Sequence, residues 1–288
     1  MSTIEEALKK AESQGKKPID QDLVSSEASV EADHQDAVEV DNKKIADRQV
    51  ETFDWSSLKD KGYICPDQSH SKLAEEYRSI KRPLVVNAIG ARKKDIQRSN
   101  LILITSSVPG EGKTFTSINL ALSISAEFDK KVLLIDADVS KPSVSKVLGI
   151  KRTPGLIEYL EGEVEDFADV ILQTEINGLR IVPAGKRHKY STELLASNKM
   201  VELAKELSER YADRIVIFDT PPLLATTQAE VLASLVGQVV LVIAAQSTPQ
   251  NIVMESVKKL EDCADVVLTL LNKTERSLDT NYYGYGRY

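Results

Sequence analysis

The chain has little sulfur, no long apolar run and no excess of positive charge, and each shortage removes a class of function. Cys65 and Cys263 are the only cysteines in 288 residues and lie far apart. They supply no disulfide framework, no CxxC pair and no thiolate cage for zinc or an iron–sulfur cluster. A reducing cytoplasm is the expected home. The longest apolar run, Val239–Ala245, falls far short of the ~20 residues that a bilayer crossing needs. The N-terminus, MSTIEEALKK, mixes acids and lysines where a secretion signal needs an apolar stretch. A formal net charge of −7 argues against a protein that coats nucleic acid, since that surface must be positive.

What is present suits a soluble globular chain: 42% hydrophobic and 28% charged residues. The length fits one large α/β domain with appendages, or two small domains. Charge is unevenly spread, with 12 Asp/Glu against 7 Lys/Arg in residues 1–50. The segment from Pro18 to Asp47 has no aromatic residue and no sustained apolar period, so it is expected to be a disordered acidic tether. Ile4, Ala7, Leu8 and Ala11 recur at helical spacing and mark a short amphipathic helix ahead of it. Residues 51–99 read as a linker with a charged helix, anchored by Phe53 and Trp55. Residues 100–273 read as the main domain and 274–288 as a tail.

From Asn100 onward, short and nearly continuous apolar runs alternate with helical patterns. Leu101–Thr105, Lys131–Ile135, Leu179–Pro183, Arg214–Phe218, Gln238–Ile243 and Val266–Leu271 read as strands buried on both faces. Thr114–Phe128, Thr192–Tyr211, Gln228–Val236 and Pro249–Glu261 read as helices between them. This alternation predicts a doubly wound, mostly parallel α/β sheet, with ligands bound beyond the carboxyl ends of the strands.

Directly after the first of these strands comes Ser106-Ser107-Val108-Pro109-Gly110-Glu111-Gly112-Lys113-Thr114, and then a helix. Small residues let backbone N–H groups converge on a phosphate, and the helix start adds partial positive charge. Pro109, Gly110, Glu111 and Gly112 would form the cradle. Lys113 would reach the β- and γ-phosphates, and the Thr114 hydroxyl would ligate Mg2+. Ser107 stands where the usual pattern opens with Gly. Carboxylates follow two further strands: Asp136 and Asp138 in one run, and Asp219 before Thr220-Pro221-Pro222. Acids at strand ends facing a phosphate loop can hold Mg2+ directly or through water. Taken singly, Asp138 reads equally well as a turn or cap before a helix near Ser143.

These motifs carry a resemblance. SSVPGEGKT, VLLIDAD and IVIFDTPP are similar to the Walker A, A′ and B motifs of bacterial tyrosine kinases, which belong with the MinD and ParA proteins among the P-loop NTPases. EEYRSIKRP, AGKRHKYSTELLAS and DTPPLLATTQAEVLAS resemble the exosortase-associated exopolysaccharide autokinases in particular. The resemblance implies ATP as phosphoryl donor, with Lys113, Thr114 and Asp219 holding ATP and Mg2+ and Phe115 at the nucleotide. It implies that Asp136 and Asp138 position Mg2+ and accept the proton of a substrate tyrosine. Asn272-Lys273 resembles an adenine-contacting site, though a simple turn fits as well. Ser140 stands where the family often has Arg. The main rival reading, a partitioning or positioning ATPase of the ParA or MinD type, calls for KGGxGKT. This chain has Val108 and Pro109 at the positions of that lysine and of a glycine.

The chain ends Asn281-Tyr282-Tyr283-Gly284-Tyr285-Gly286-Arg287-Tyr288, with four of its nine tyrosines in seven residues. Glycine loosens the backbone and keeps the phenols accessible. Beside a phosphate loop, Tyr282, Tyr283, Tyr285 and Tyr288 are expected to be phosphoacceptors, and bacterial tyrosine kinases end in such a cluster. Upstream, Glu75, Arg78 and Lys81 recur at i+3 spacing, which by spacing alone is a solvated charged face. That run is similar to the family's ExxRxxR oligomerisation motif, with Lys81 in place of the last Arg. The resemblance implies a ring of copies phosphorylating one another's tails, a separate transmembrane polysaccharide co-polymerase that recruits the cytoplasmic chain to the inner membrane, and a cognate tyrosine phosphatase. His34, His70 and His188 are scattered and read as surface residues. The run Gly185–Ser191 is locally basic and reads as a solvated loop.

Overall fold

In the computed structural model, residues 50–68, 70–151 and 154–274 are described, all within the unit Lys43–Tyr288. The expected N-terminal tether and helix, His34 and the tyrosines of the tail lie outside them. In chain order the described elements begin with β1 (Val50–Glu51), α1 (Trp55–Asp60), α2 (Lys72–Ile89), β2 (Leu101–Ser106) and α3 (Lys113–Ser125). They continue with β3 (Lys131–Asp136), α4 (Val144–Leu148), α5 (Leu156–Glu161), β4 (Leu172–Thr174) and β5 (Leu179–Val182). The last are α6 (Ser191–Leu195), α7 (Asn198–Glu209), β6 (Arg214–Asp219), α8 (Gln228–Ala233), β7 (Gln238–Ala244), α9 (Gln250–Glu261) and β8 (Val266–Asn272).

The strands form one sheet in the order β1-β4-β5-β3-β6-β2-β7-β8, parallel throughout except between β4 and β5. All six runs read as strands are strands, and their apolar continuity has the expected cause. In β2, Leu101 and Leu103 enter one core while Ile102 and Ile104 enter the other. Val216 and Phe218 of β6 oppose Ile215 and Ile217 in the same way. Side chains alternate across a strand, so a strand covered on both faces must be apolar at every position. The edge strand β8 is less buried, and Leu271 is exposed there.

Two differences from the sequence reading have local causes. The expected helix Thr192–Tyr211 is two helices, α6 and α7. The Ser197 hydroxyl accepts the Met200 N–H at 3.3 Å, which satisfies an orphan donor and starts a new helix. Residues 51–99 pack on the same sheet as the rest. Phe53, Leu58, Tyr63, Cys65, Tyr77 and Leu84 belong to the core cluster around α3. β1 pairs with β4, and Asn87 of α2 donates to Gln238 Oε1 at 3.0 Å, tying α2 to β7.

Phe53 and Trp55 meet edge to face at 5.6 Å, and both are fixed by one acid. Glu175 Oε1 accepts the Phe53 N–H at 2.8 Å and the Trp55 indole N–H at 2.9 Å. Glu175→Ala leaves the part-buried Phe53 N–H without its partner and gives the exposed indole N–H to water, a local cost of about 1–3 kcal/mol. Trp55 is the sole tryptophan, so its fluorescence reports this strap alone. In Glu175→Ala its emission is expected to shift red at a urea concentration below the transition seen by far-UV circular dichroism. Coincident transitions would show that Glu175 does not hold the strap.

Candidate active site

The site lies at the carboxyl edge of the sheet, where β2, β3 and β6 end side by side. Register places Asp136 of β3 opposite Asp219 of β6, and Asp219 beside Ile104 of β2. The loop from Ser107 to Gly112 leaves β2 and turns into α3. Gly112 has φ +101° and begins the helix, and a Cβ added there would lie 2.0 Å from Asn272 Nδ2. Glycine is therefore required twice over, by backbone sign and by space. The first N–H groups of α3 have no partner within the helix and lie at its positive end, which is the physical basis of an anion cradle.

The structure brings most of the expected residues together. Thr114 donates its hydroxyl to Asp219 Oδ2 at 2.8 Å. Lys113 Nζ lies 3.1 Å from Asp138 Oδ2, and the same carboxylate accepts the Lys141 N–H at 3.0 Å. Asp136 Oδ2 accepts the N–H groups of Ser143 and Val144 at 3.1 and 3.0 Å, while Oδ1 is buried without a partner. The cap of the helix near Ser143 is therefore Asp136, whereas Asp138 faces Lys113. Pro109 and Gly110 are exposed at the loop tip.

Several expected residues sit otherwise. The Glu111 side chain is buried and turned away from the cradle, toward β7. Asn272 closes β8 and donates to the Glu111 carbonyl at 2.8 Å, and Lys273 Nζ donates to the Gly110 carbonyl at 2.7 Å. These two residues brace the phosphate loop, so the pair is more than a simple turn. The Phe115 ring packs 5.0 Å from Tyr63. On α2, Glu75 and Arg78 are exposed and paired with each other. Lys81 does not share their face: it is buried, with Nζ 2.5 Å from the Ser123 carbonyl and 2.9 Å from Glu127. The turn per residue of a helix carries i+6 away from i, and here α3 covers that side. His188 is paired with Glu161 at 2.7 Å and His70 is exposed.

Some residues at the site were not singled out, although Gln228 and Thr192 lie within two of the runs quoted above. Ser117, one turn beyond Lys113, donates to Asp219 Oδ1 at 2.9 Å, so two hydroxyls of α3 hold this one carboxylate. Helical spacing from Thr114 was the available clue. Gln228 Nε2 bonds Ser140 at 3.1 Å and Thr192 at 3.0 Å, joining the loop after Asp138 to α6. Tyr63 reaches the site from the N-terminal strap, and no local pattern marks that.

Charge at this edge is poorly balanced. Burial, and then the charge of Asp219, push the Asp136 carboxyl well above its ordinary range, with the Val144 and Ser143 N–H groups pulling the other way. Burial pushes Asp219 up to about 6, against the pull of Lys113, Thr114 and Ser117. Burial also pushes the Tyr63 phenol up to about 12, with Asp219 adding to it. The donors present are hard oxygens, and Asp136 Oδ1 is an orphaned buried acceptor, so the residues fit Mg2+. Among the described residues no group of three or more His, Cys, Asp or Glu forms a metal cage. An ion here would draw its remaining ligands from phosphate and water.

The family described as AAA domain matches residues 99–274. The tyrosine-protein kinase YwqD of Bacillus subtilis is 32% identical over 222 residues, covering 77% of this chain and 90% of that protein. The tyrosine-protein kinase CpsD of Streptococcus agalactiae is 36% identical over 224 residues, covering 76% and 91%. The tyrosine-protein kinase ptk of Acinetobacter johnsonii is 38% identical over 182 residues, 62% of this chain, and the chain spans 24% of that longer protein. Among solved structures, the kinase domain of Escherichia coli tyrosine kinase ETK superposes with a TM-score of 0.65 at 28% identity, covering 82% of this chain and 93% of that one. The septum site-determining protein MinD of Pyrococcus horikoshii, complexed with Mg-ADP, gives 0.53 at 26% identity, covering 62% and 72%. The chain belongs to the bacterial tyrosine-protein kinases of the AAA domain family.

The raised carboxyls have a consequence for stability. Unfolded Asp ionises near pH ~3.9, whereas folded Asp219 stays protonated to about 6. Their contribution is therefore fully present below pH ~4 and is lost as pH rises through the folded values. Asp219→Asn is expected to stabilise the nucleotide-free protein at pH 7 by on the order of 1–3 kcal/mol and Asp136→Asn to change stability in the same direction, each with a smaller gain at pH 4.5. Urea midpoints at the two pH values check this. Equal or lower stability of both variants at pH 7 would contradict it.

Proposed function

We propose that this chain is an ATP-dependent protein-tyrosine autokinase that phosphorylates Tyr282, Tyr283, Tyr285 and Tyr288 of a neighbouring copy. The observation that carries the reading is the convergence of Lys113, Thr114, Asp136, Asp138 and Asp219 on one phosphate loop at the carboxyl edge of the sheet. The cradle of loop and helix start binds the phosphates, and the kinases to which the chain is similar supply the reaction class. Mg2+ at Thr114 and Asp219 would draw charge from the transferring phosphoryl group.

The chain's own residues then divide the work. Lys113 is held by Asp138 at the mouth of the loop. Exchange of that contact for a phosphate oxygen brings the ammonium onto the charge that develops during transfer and releases the Asp138 carboxylate. A tyrosine hydroxyl, with an ordinary pKa near ~10, is a weak nucleophile at neutral pH. Asp138, released from Lys113, would take its proton as the phenolic oxygen bonds phosphorus and ADP departs, while Asp136 would help to hold Mg2+. Ser117 and Thr114 keep Asp219 oriented throughout. The glycines between the tail tyrosines let each phenol approach in turn.

Glu75 and Arg78 on the exposed face of α2 fit a contact between copies, while Lys81 fixes α2 to α3. Among the described residues no helix is long and apolar enough to cross a membrane. In this reading a separate transmembrane polysaccharide co-polymerase recruits the chain to the inner membrane, exopolysaccharide polymerisation and export are what the kinase regulates, and a tyrosine phosphatase reverses the modification.

Purified protein incubated with ATP and Mg2+ is expected to gain phosphate on the peptide containing Tyr282–Tyr288, read by mass spectrometry. Lys113→Met is expected to reduce that gain by roughly 100-fold or more. Nucleotide hydrolysis with an unmodified tail would replace this reading with the positioning-ATPase one.

A further inference from the structure

An acid inside a phosphate loop is out of place on charge alone, since its carboxylate would repel the ligand. Glu111 avoids this by being almost completely buried, at 2% exposure, with its carboxylate bonded on both oxygens. Oε2 accepts the Val108 N–H at 2.7 Å, within the loop itself. Oε1 accepts the Ala244 N–H at 3.1 Å, from the last residue of β7, and the Thr248 hydroxyl, from the turn between β7 and α9. That turn contains Gln246 at φ +59° and is held in its own right, because the Ala245 N–H donates to the Asn272 carbonyl at 2.8 Å. Asn272 in turn donates to the Glu111 carbonyl. The phosphate loop, the β7–α9 turn and the end of β8 thus form a closed hydrogen-bonded circuit that passes through Glu111 twice, once by side chain and once by backbone.

We infer that Glu111 is a positioning residue for the nucleotide: its carboxylate, latched by Thr248, holds the phosphate loop in the shape that receives the phosphates. The strut draws the Val108 N–H inward and leaves the start of α3 to face the ligand. Without it, part of the binding energy must be spent on ordering the loop, and affinity falls accordingly. The inference rests on the nucleotide-binding part of the proposed function and not on the tyrosine acceptor.

The geometry also says which substitutions discriminate. Three donors converge on two oxygens, so Glu111→Gln, which fits the same space, must set an N–H against a backbone N–H at either Val108 or Ala244. A packing role would tolerate glutamine, whereas a strut cannot. Thr248→Val removes the latch and keeps the shape, and Thr248→Ser keeps the hydroxyl.

Titration of the full chain with ADP and Mg2+ by calorimetry, well below every variant's melting temperature, tests this. The dissociation constant is expected to rise about tenfold or more in Glu111→Gln and about three- to tenfold in Thr248→Val, with Thr248→Ser within twofold of the parent. ADP affinity unchanged in a folded Glu111→Gln would overturn the inference. If Glu111→Gln fails to fold, the Thr248 pair decides, and equal affinities for the Val and Ser variants overturn it. Absence of ADP binding by the parent would instead bring down the nucleotide reading itself.

Discussion

Two carboxylates buried side by side set the terms for this molecule. β3 and β6 are in register, so Asp136 and Asp219 end neighbouring strands under the phosphate loop. Burial raises the cost of ionising both, and the charge of Asp219 adds to it at Asp136. The nearest ammonium, Lys113, is committed to Asp138 rather than to this pair. The site is therefore built for positive charge that arrives with the ligand. A cation bound with the nucleotide would supply it and relieve the repulsion between the two carboxylates.

Much of this was legible in the sequence because it is local. Each strand buried on both faces must be apolar throughout, and each acid that ends such a strand must face the ligand edge. VLLIDAD and IVIFD therefore gave the positions of Asp136 and Asp219 without any tertiary information. Lys113 and Thr114 were legible for the same reason, since strand, loop and helix start are contiguous.

What escaped was non-local or depended on direction. Glu111 was read as part of the cradle because its backbone is in the loop, yet its side chain answers to Ala244 and Thr248, more than 130 positions away. Spacing placed Lys81 with Glu75 and Arg78, but the helix carries it round to α3, where its ammonium meets the Ser123 carbonyl and Glu127. The helix-start bonds that Asp138 could have made fall to Asp136, while Asp138 closes the turn at Lys141 and faces Lys113. Residues two apart share a face only while the backbone stays extended; β3 ends at Asp136, so the turn that follows decides where Asp138 points.

The opposite ends of the same two strands explain how such a site is tolerated. At the amino ends, register pairs Lys131 of β3 with Arg214 of β6, two cations where the carboxyl ends have two acids. Here the opposing charge is supplied. Asp213 takes Arg214 Nε at 2.9 Å on one oxygen and Lys131 Nζ at 2.8 Å on the other. Burial alone would raise the Asp213 carboxyl, yet these two partners hold it below its ordinary range. Arg214 also lies 4.8 Å over the Tyr211 ring, which is itself in the core. One strand pair is thus electrostatically closed at its amino end and open at its carboxyl end. Strain at a functional edge persists only where the surrounding structure overdetermines the backbone. The unbroken apolar stretch of β3 and β6 between the two charge clusters provides that, because a slip of either strand would draw the charged residues at one of its ends into the apolar interior.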